Sequence, residues 1–351
     1  TRTKPKPKPE PLSKQKPKSK AAARSTEAPE GTVVLLGPQR TAPILDTVCD
    51  ELGLDGKDGP LALVTAGWEE REAEDEPVRA FLDTPLENLA LHERAARVFD
   101  EDPELFAALR RRHDRMRRLR TIYRRRLDHA IAAWRDVLRP PGQGPEDEFV
   151  ALERLDAGEL PLVGEVLEEA FAALRDLDAL HLKHVSTLQA EFAEEQSPAE
   201  RPAVAREREQ IAEILGGCTG LLVAGGHVAV LLNRLRLFGV AGMLHGLPVI
   251  GWSAGAMALT QRIVLFHDRP PQGQGAAEVF EPGLGLASGV VALPDATGRL
   301  DLDDPLRVAA LARRQQPLAC VLLDAGDRAT CVDGEWTYGR RLGADGTVVV
   351  S

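Results

Sequence analysis

The most constraining feature of the chain is a five-residue turn, Gly251-Trp252-Ser253-Ala254-Gly255, set between two apolar runs. Before it, Leu247-Pro248-Val249-Ile250 reads as a buried strand. After it, Ala254–Leu259 reads as the start of a helix. G-x-S-x-G fits a strand-to-helix bend that holds the central serine in a strained conformation and thrusts its hydroxyl outward. Glycines two places to either side let backbone and helix approach closely, and a helix N-terminus favours developing negative charge. Such a bend belongs to a layered α/β core.

The flanking sequence repeats the same alternation. Strand signals occur at Thr32–Leu36 and Leu61–Thr65, with an amphipathic helix between them that buries Ile44, Leu45, Val48 and Leu52. The pattern resumes with a strand at Gly220–Ala224, a helix at His227–Phe238 and a strand at Pro248–Gly251. Further strands are expected at Ile263–Phe266, Gly289–Leu293, Ala319–Leu323 and Thr347–Val350, with a helix at Asp303–Arg314. Strand–helix–strand order of this kind predicts a doubly wound, mostly parallel sheet. Between Leu86 and Leu215 the character changes: glycine becomes scarce and Ala, Leu, Glu and Arg dominate. Two long helices are expected there, at Pro103–Leu138 and Pro161–Glu195. The first would bury Phe106, Leu109, Met116, Leu119, Tyr123, Leu127, Ile131 and Trp134. The second would bury Val166, Phe171, Leu174, Leu177, Leu188 and Phe192. The chain therefore divides into a Lys/Pro-rich tail (1–30) expected to be disordered, an α/β core (31–85 and 215–351) and a large helical insertion (86–214).

Charge and composition narrow the partners. Residues Thr1–Arg24 carry nine Lys or Arg and one Glu, so the chain's net −10 leaves −18 on the remainder. A negative body repels phosphate backbones. Aromatic content of 4% offers little for stacking bases, so nucleic acid is not expected as a partner. The ten arginines within Arg110–Arg126 interleave with an apolar face, and Glu165, Glu168, Glu169, Asp176 and Asp178 lie on the expected partner helix. They read as interhelical ion pairs. The most apolar stretch, Thr219–Trp252, is broken by Asn233, Arg234, Arg236 and glycines, so no membrane span is expected. No signal-peptide pattern is present, and Cys49, Cys218, Cys320 and Cys331 form no C-x-x-C. They read as reduced core cysteines of a cytoplasmic protein.

A second glycine turn, Ala224-Gly225-Gly226-His227, ends the strand before the serine turn. It can aim backbone N–H groups at an oxyanion together with the amide of Ala254. The segments Ala224-Gly225-Gly226, Gly251-Trp252-Ser253-Ala254-Gly255-Ala256 and Gly283-Leu284-Gly285-Leu286 resemble the aspartyl dipeptidase and cyanophycinase family of serine peptidases. The resemblance covers about 31–70 and 215–351, and implies a class I glutamine amidotransferase-like fold with serine at the elbow. It implies Ser253 as nucleophile, Asp268 as the acid of a triad, and Gly226 and Ala254 as oxyanion donors, with Gly225 in the same turn. The family's histidine falls where this chain has Asp295, after Val290-Val291-Ala292-Leu293-Pro294.

That replacement matters because a serine hydroxyl needs a positioned base, and a carboxylate ordinarily titrating near ~4 is a weak one at neutral pH. His227, at the carboxyl end of a strand, is the candidate substitute; otherwise it contacts ligand or caps its helix. His267 precedes Asp268, and neighbouring strand residues point to opposite faces, so His267 is expected to face away if Asp268 faces Ser253. Trp68, Glu69 and Arg71 could line the same edge, with Arg71 holding a carboxylate or lying in a solvated loop. Glu278 and Glu281 follow a Pro-Pro-Gln-Gly-Gln-Gly stretch readable as a lid. Asp178, His181 and His184 have helical spacing but no further ligand set, so neither a metal nor a cofactor is expected.

The expected activity is hydrolysis of a small peptide or amide substrate through Ser253, in a chain compatible with a homo-oligomer. The alternative is a non-catalytic relative that uses the pocket and the insertion to bind a ligand or protein. An amidotransferase reading is weaker, because glutaminases place a thiolate at the elbow.

Overall fold

Val33–Leu36 (β1) is the first strand in the computed structural model, which describes residues 31–138, 161–268 and 276–350. The Lys/Pro tail and the Pro/Gln/Gly stretch at 270–275 lie outside the described residues. After β1 come α1 (Leu45–Glu51), β2 (Leu61–Val64), α2 (Glu76–Phe81), β3 (Leu86–Asn88) and α3 (Leu91–Glu101). Two long helices follow, α4 (Pro103–Leu138) and α5 (Pro161–Gln196), then α6 (Pro202–Gly216). The core resumes with β4 (Gly220–Val223), α7 (Val228–Phe238), β5 (Val249–Trp252) and α8 (Ala254–Leu259). The remainder is β6 (Arg262–Leu265), β7 (Glu278–Pro282), β8 (Val290–Pro294), α9 (Ala296–Arg299), α10 (Pro305–Gln315) and β9 (Ala319–Leu323). It ends with β10 (Arg328–Val332), β11 (Glu335–Tyr338), β12 (Arg340–Leu342) and β13 (Val348–Val350).

The central sheet has the order β11-β10-β1-β5-β4-β2-β3. Its five strands from β1 to β3 are parallel, and β10 and β11 add an antiparallel edge. The architecture is thus mixed α/β with a mostly parallel central sheet. Every residue of β1, β2, β4 and β5 is buried, as expected of strands covered on both faces. Alternation along these strands splits the apolar side chains into two cores. Val34, Leu36, Leu61, Leu63, Leu222 and Ile250 pack beneath α1. Val33, Leu35, Ala62, Val64, Leu221 and Val223 join the larger core beneath α6, α7 and α8. β8 and β9 do not join this sheet. They pair in parallel within a separate four-stranded sheet, β13-β12-β9-β8, while β6 and β7 form an antiparallel ribbon.

The long helices pack against each other, with Trp134 stacked on Phe171 at 5.4 Å. Asp102 caps the start of α4 by accepting from the Leu105 amide, and Pro103 occupies a first-turn position where no amide is needed. Two apolar positions expected in the interior are exposed instead. Phe106 is turned outward while Leu105 and Ala108 are buried, and Val166 is exposed while its neighbour Leu167 is buried. Spacing alone fixes the period of a helical stripe but not, to within a residue, which positions face the neighbour.

A buried polar junction ties this helical pair to the core. Asp178 on α5 accepts from the Tyr123 hydroxyl (2.7 Å) and pairs with Arg314 on α10 (2.7 Å). Tyr123 also accepts from the Val279 amide of β7, and Arg314 donates to Ala277 O. Asp178 and Arg314 are 0% and 4% exposed, so each relies on the other for its charge.

Candidate active site

Ser253 sits between β5 and α8 with φ 52° and ψ −120°, a conformation that L-residues with a side chain rarely adopt. Its amide donates to Leu36 O and its carbonyl accepts from the Met257 amide, so strand and helix clamp the strained residue from both sides. The flanking glycines are there for space. A Cβ on Gly255 would lie 2.1 Å from Val223 O, and one on Gly251 would lie 2.6 Å from Leu259 Cδ1. Gly225 covers the serine itself: a Cβ there would meet Ser253 Cβ at 2.8 Å.

The second glycine turn abuts the first. Gly226 has φ +111°, and a Cβ on it would overlap Gly67 O at 2.3 Å. The His227 amide donates to Gly67 O at 2.7 Å, which locks the turn after β4 against the loop after β2. Neither the Gly226 nor the Ala254 amide donates to an acceptor among the described residues. Both lie in the cleft beside Ser253, free to face an incoming oxygen.

The cleft has a volume of about 1400 Å³ and opens at the carboxyl ends of the parallel strands. Gln39 and Arg40 line it after β1, Trp68 and Arg71 after β2, and Pro294 and Asp295 at the end of β8. Its far wall belongs to α4, through Arg120, Arg124 and Leu127. Glu278 of β7 pairs with both arginines. Burial raises the Glu278 pKa, but hydrogen bonds from Arg124 and Arg120 outweigh it and hold the carboxyl below the usual carboxylate range. Glu278 thus stands in a strand bonded to the insertion. Glu281, on the same strand, pairs with Arg236 and accepts from Gln189.

The sequence candidates separate in space. Ser253, Gly225, Gly226, Ala254, Asp295, Trp68 and Arg71 line the cleft. His227 and Asp268 do not. His227 is exposed, and its Nδ1 accepts from the Val230 amide at 3.3 Å as the cap of α7. Asp268 is 8% exposed, bonded to the Asp301 amide and paired with Arg307 at 2.9 Å. The alternation between neighbours holds with the faces exchanged: Asp268 points inward, and His267 lines the cleft. Asp295 ends β8 with φ 57° and lies 3.4 Å from Arg299. Arg71 pairs with Glu74 on the surface. Glu69 has φ 58° and ψ −126°, nearly the dihedrals of Ser253, but does not line the cleft.

The other constellations resolve into structure. His181 stacks on Tyr123 at 4.1 Å, with Nε2 3.1 Å from Phe280 O; burial lowers its pKa. Among the described residues no group of three or more His, Cys, Asp or Glu is placed to hold a metal. Nor is any described helix long and apolar enough to cross a membrane. The arginine run spreads over several partners rather than the acids expected for it. Arg115 pairs with Glu191, Arg112 stacks over Phe192, and Arg120 and Arg124 take Glu278. Burial pushes the Cys49 and Cys320 thiols up to about 12, so neither offers a thiolate.

A serine elbow at the carboxyl edge of a mostly parallel sheet, with two glycine turns beside it, defines the class of site. Residues 184–301, which span both turns, β6 and Asp295, match the model of Peptidase family S51. No curated protein matches the chain. Among solved structures the chain is similar to a peptidase from an acI-B1 Actinobacterium. The identity is 12% over 92% of this chain and 89% of that one, with a TM-score of 0.39.

Proposed function

We propose that this chain is a serine hydrolase of the peptidase type, cleaving small peptides or amides through Ser253. The observation that carries the reading is the strained Ser253 backbone at the floor of a cleft, beside the uncommitted amides of Gly226 and Ala254. The match of residues 184–301 to Peptidase family S51 supports it. Ser253 Oγ attacks the carbonyl carbon and gives its proton to a base. The carbonyl oxygen takes up the electron pair and is held by the two amides. Collapse breaks the C–N bond, the amine leaves with the proton, and water then hydrolyses the acyl-serine to a carboxylic acid and free serine.

A non-catalytic pocket is the second reading, favoured by one observation: the cleft holds Asp295 at the end of β8, while Asp268 is committed to Arg307. A fluorophosphonate probe, which forms a covalent bond to an activated serine, separates the two. Labelling of wild type but not of Ser253→Ala supports the hydrolase. Equal behaviour of the two proteins refutes it and leaves the binding pocket.

A further inference from the structure

We propose that His267 is the general base for Ser253; the inference rests on the hydrolase reading and supplies the group that reading lacks. Of the chain's eight histidines, His267 alone lines the cleft that holds Ser253. His227 and His181 lie outside it, the one capping α7 and the other stacked on Tyr123. Imidazole is the side chain best suited to accept and return a proton near neutral pH.

Three fixed contacts turn His267 toward the cleft. The Asp268 amide donates to Arg299 O (2.8 Å), and its carboxylate accepts from the Asp301 amide (2.9 Å) and pairs with Arg307 (2.9 Å). With Asp268 pinned inward just past the end of β6, His267 is left exposed at the cleft. Leu265, Phe266 and His267 all line the cleft, and of the three His267 is the exposed one. Asp268 is therefore a positioning residue, acting through its neighbour.

The same contacts bring His267 beside the end of β8. Arg299, whose carbonyl receives the Asp268 amide, pairs with Asp295 and lies 6.0 Å from the centre of the Phe266 ring. The residue between Phe266 and Asp268 thus stands near the Asp295–Arg299 pair, and on this proposal the imidazole serves Ser253 from the segment after β6 rather than from the end of β8. In the reaction His267 takes the proton from Ser253 Oγ and delivers it to the departing amine. It then takes a proton from water and returns it to Oγ as the acid leaves. Asp295 offsets the imidazolium charge present between transfers.

The test is the rate of fluorophosphonate labelling on the full chain. The proteins compared are wild type, Ser253→Ala, His267→Ala, His267→Gln and His227→Ala, with circular dichroism confirming that each is folded. His267→Ala and His267→Gln are expected to label ~10²–10⁴-fold more slowly than wild type. Added imidazole should restore part of the rate to His267→Ala but none to Ser253→Ala. A purely structural role for His267 predicts no such rescue. If Ser253-dependent labelling persists at the wild-type rate in His267→Ala, or the loss falls on His227→Ala instead, the base is misassigned while the nucleophile stands. If wild type and Ser253→Ala do not differ, the hydrolase reading fails and this one with it.

Discussion

Gly225→Ala is a sharp test of how closely the two glycine turns are fitted. Gly225 does not have a positive φ, so alanine costs little in backbone strain there. Its methyl carbon would nevertheless lie 2.8 Å from Ser253 Cβ and 3.4 Å from the Ala254 amide nitrogen. Carbon atoms in contact normally stand about 3.5–4.0 Å apart, so the serine or its turn must retreat by roughly 1 Å. Ser253 is the side that yields, because its strained φ already has an easier conformation to fall into. A displacement of about 1 Å at a reacting group costs on the order of 10²-fold in rate. Gly225→Ala should therefore lose about that factor in fluorophosphonate labelling. Overpacking at one methyl costs on the order of 1–3 kcal/mol, so the protein should stay folded with a modestly lower thermal midpoint. Labelling at the wild-type rate would refute the account, because the cover over Ser253 would then be loose. Loss of labelling only in step with global unfolding would also refute it.

Two further outcomes follow from the buried junction and the cleft wall. Asp178→Asn leaves the Arg314 charge enclosed without a counter-charge, and should lower the free energy of urea unfolding by roughly 3–5 kcal/mol; a change within about 0.5 kcal/mol would show that the junction is not what holds α5 to α10. Glu278 has a folded pKa held below its ordinary 4.5, so its contribution is present above that value and is lost as pH falls through the folded pKa. Stability measured from pH 6 downward should decline more steeply below about 4.5 in wild type than in Glu278→Gln, and parallel curves would show that the Arg120 and Arg124 pairs contribute nothing.

Much of the architecture was legible because it is written in local pattern. The two long helices begin at Pro103 and Pro161, where a first-turn proline and a sustained apolar periodicity mark them. The fully buried strands β1, β2, β4 and β5 are short apolar runs closed by glycine or proline, and the sequence places them within a residue or so. The serine turn was legible for the same reason: its glycines answer contacts only a few residues away in the chain or on the adjacent strand. What local pattern does not carry is which face of a strand meets which neighbour. Alternation puts His267 and Asp268 on opposite faces, but the choice between them is made by Arg307 and the Asp301 amide, far along the sequence. The sequence left His227 open between base, ligand contact and helix cap; the bond from the Val230 amide makes it the cap, an uncommon role for histidine. The separate sheet of β8 and β9 and the ribbon of β6 and β7 also escaped, because strand propensity does not say which strands pair.

The cleft's far wall comes from a helix that takes no part in the serine turn, yet α4 is bonded to β7 through Arg120, Arg124 and the Tyr123 hydroxyl. On the hydrolase reading, the reacting serine and the wall that sizes its cleft are thus carried on different stretches of the polypeptide. Exchanging side chains along one flank of α4 would resize or recharge the mouth while the bend that holds the hydroxyl stays untouched. On that reading, what the cleft admits can change without altering the turn that would react.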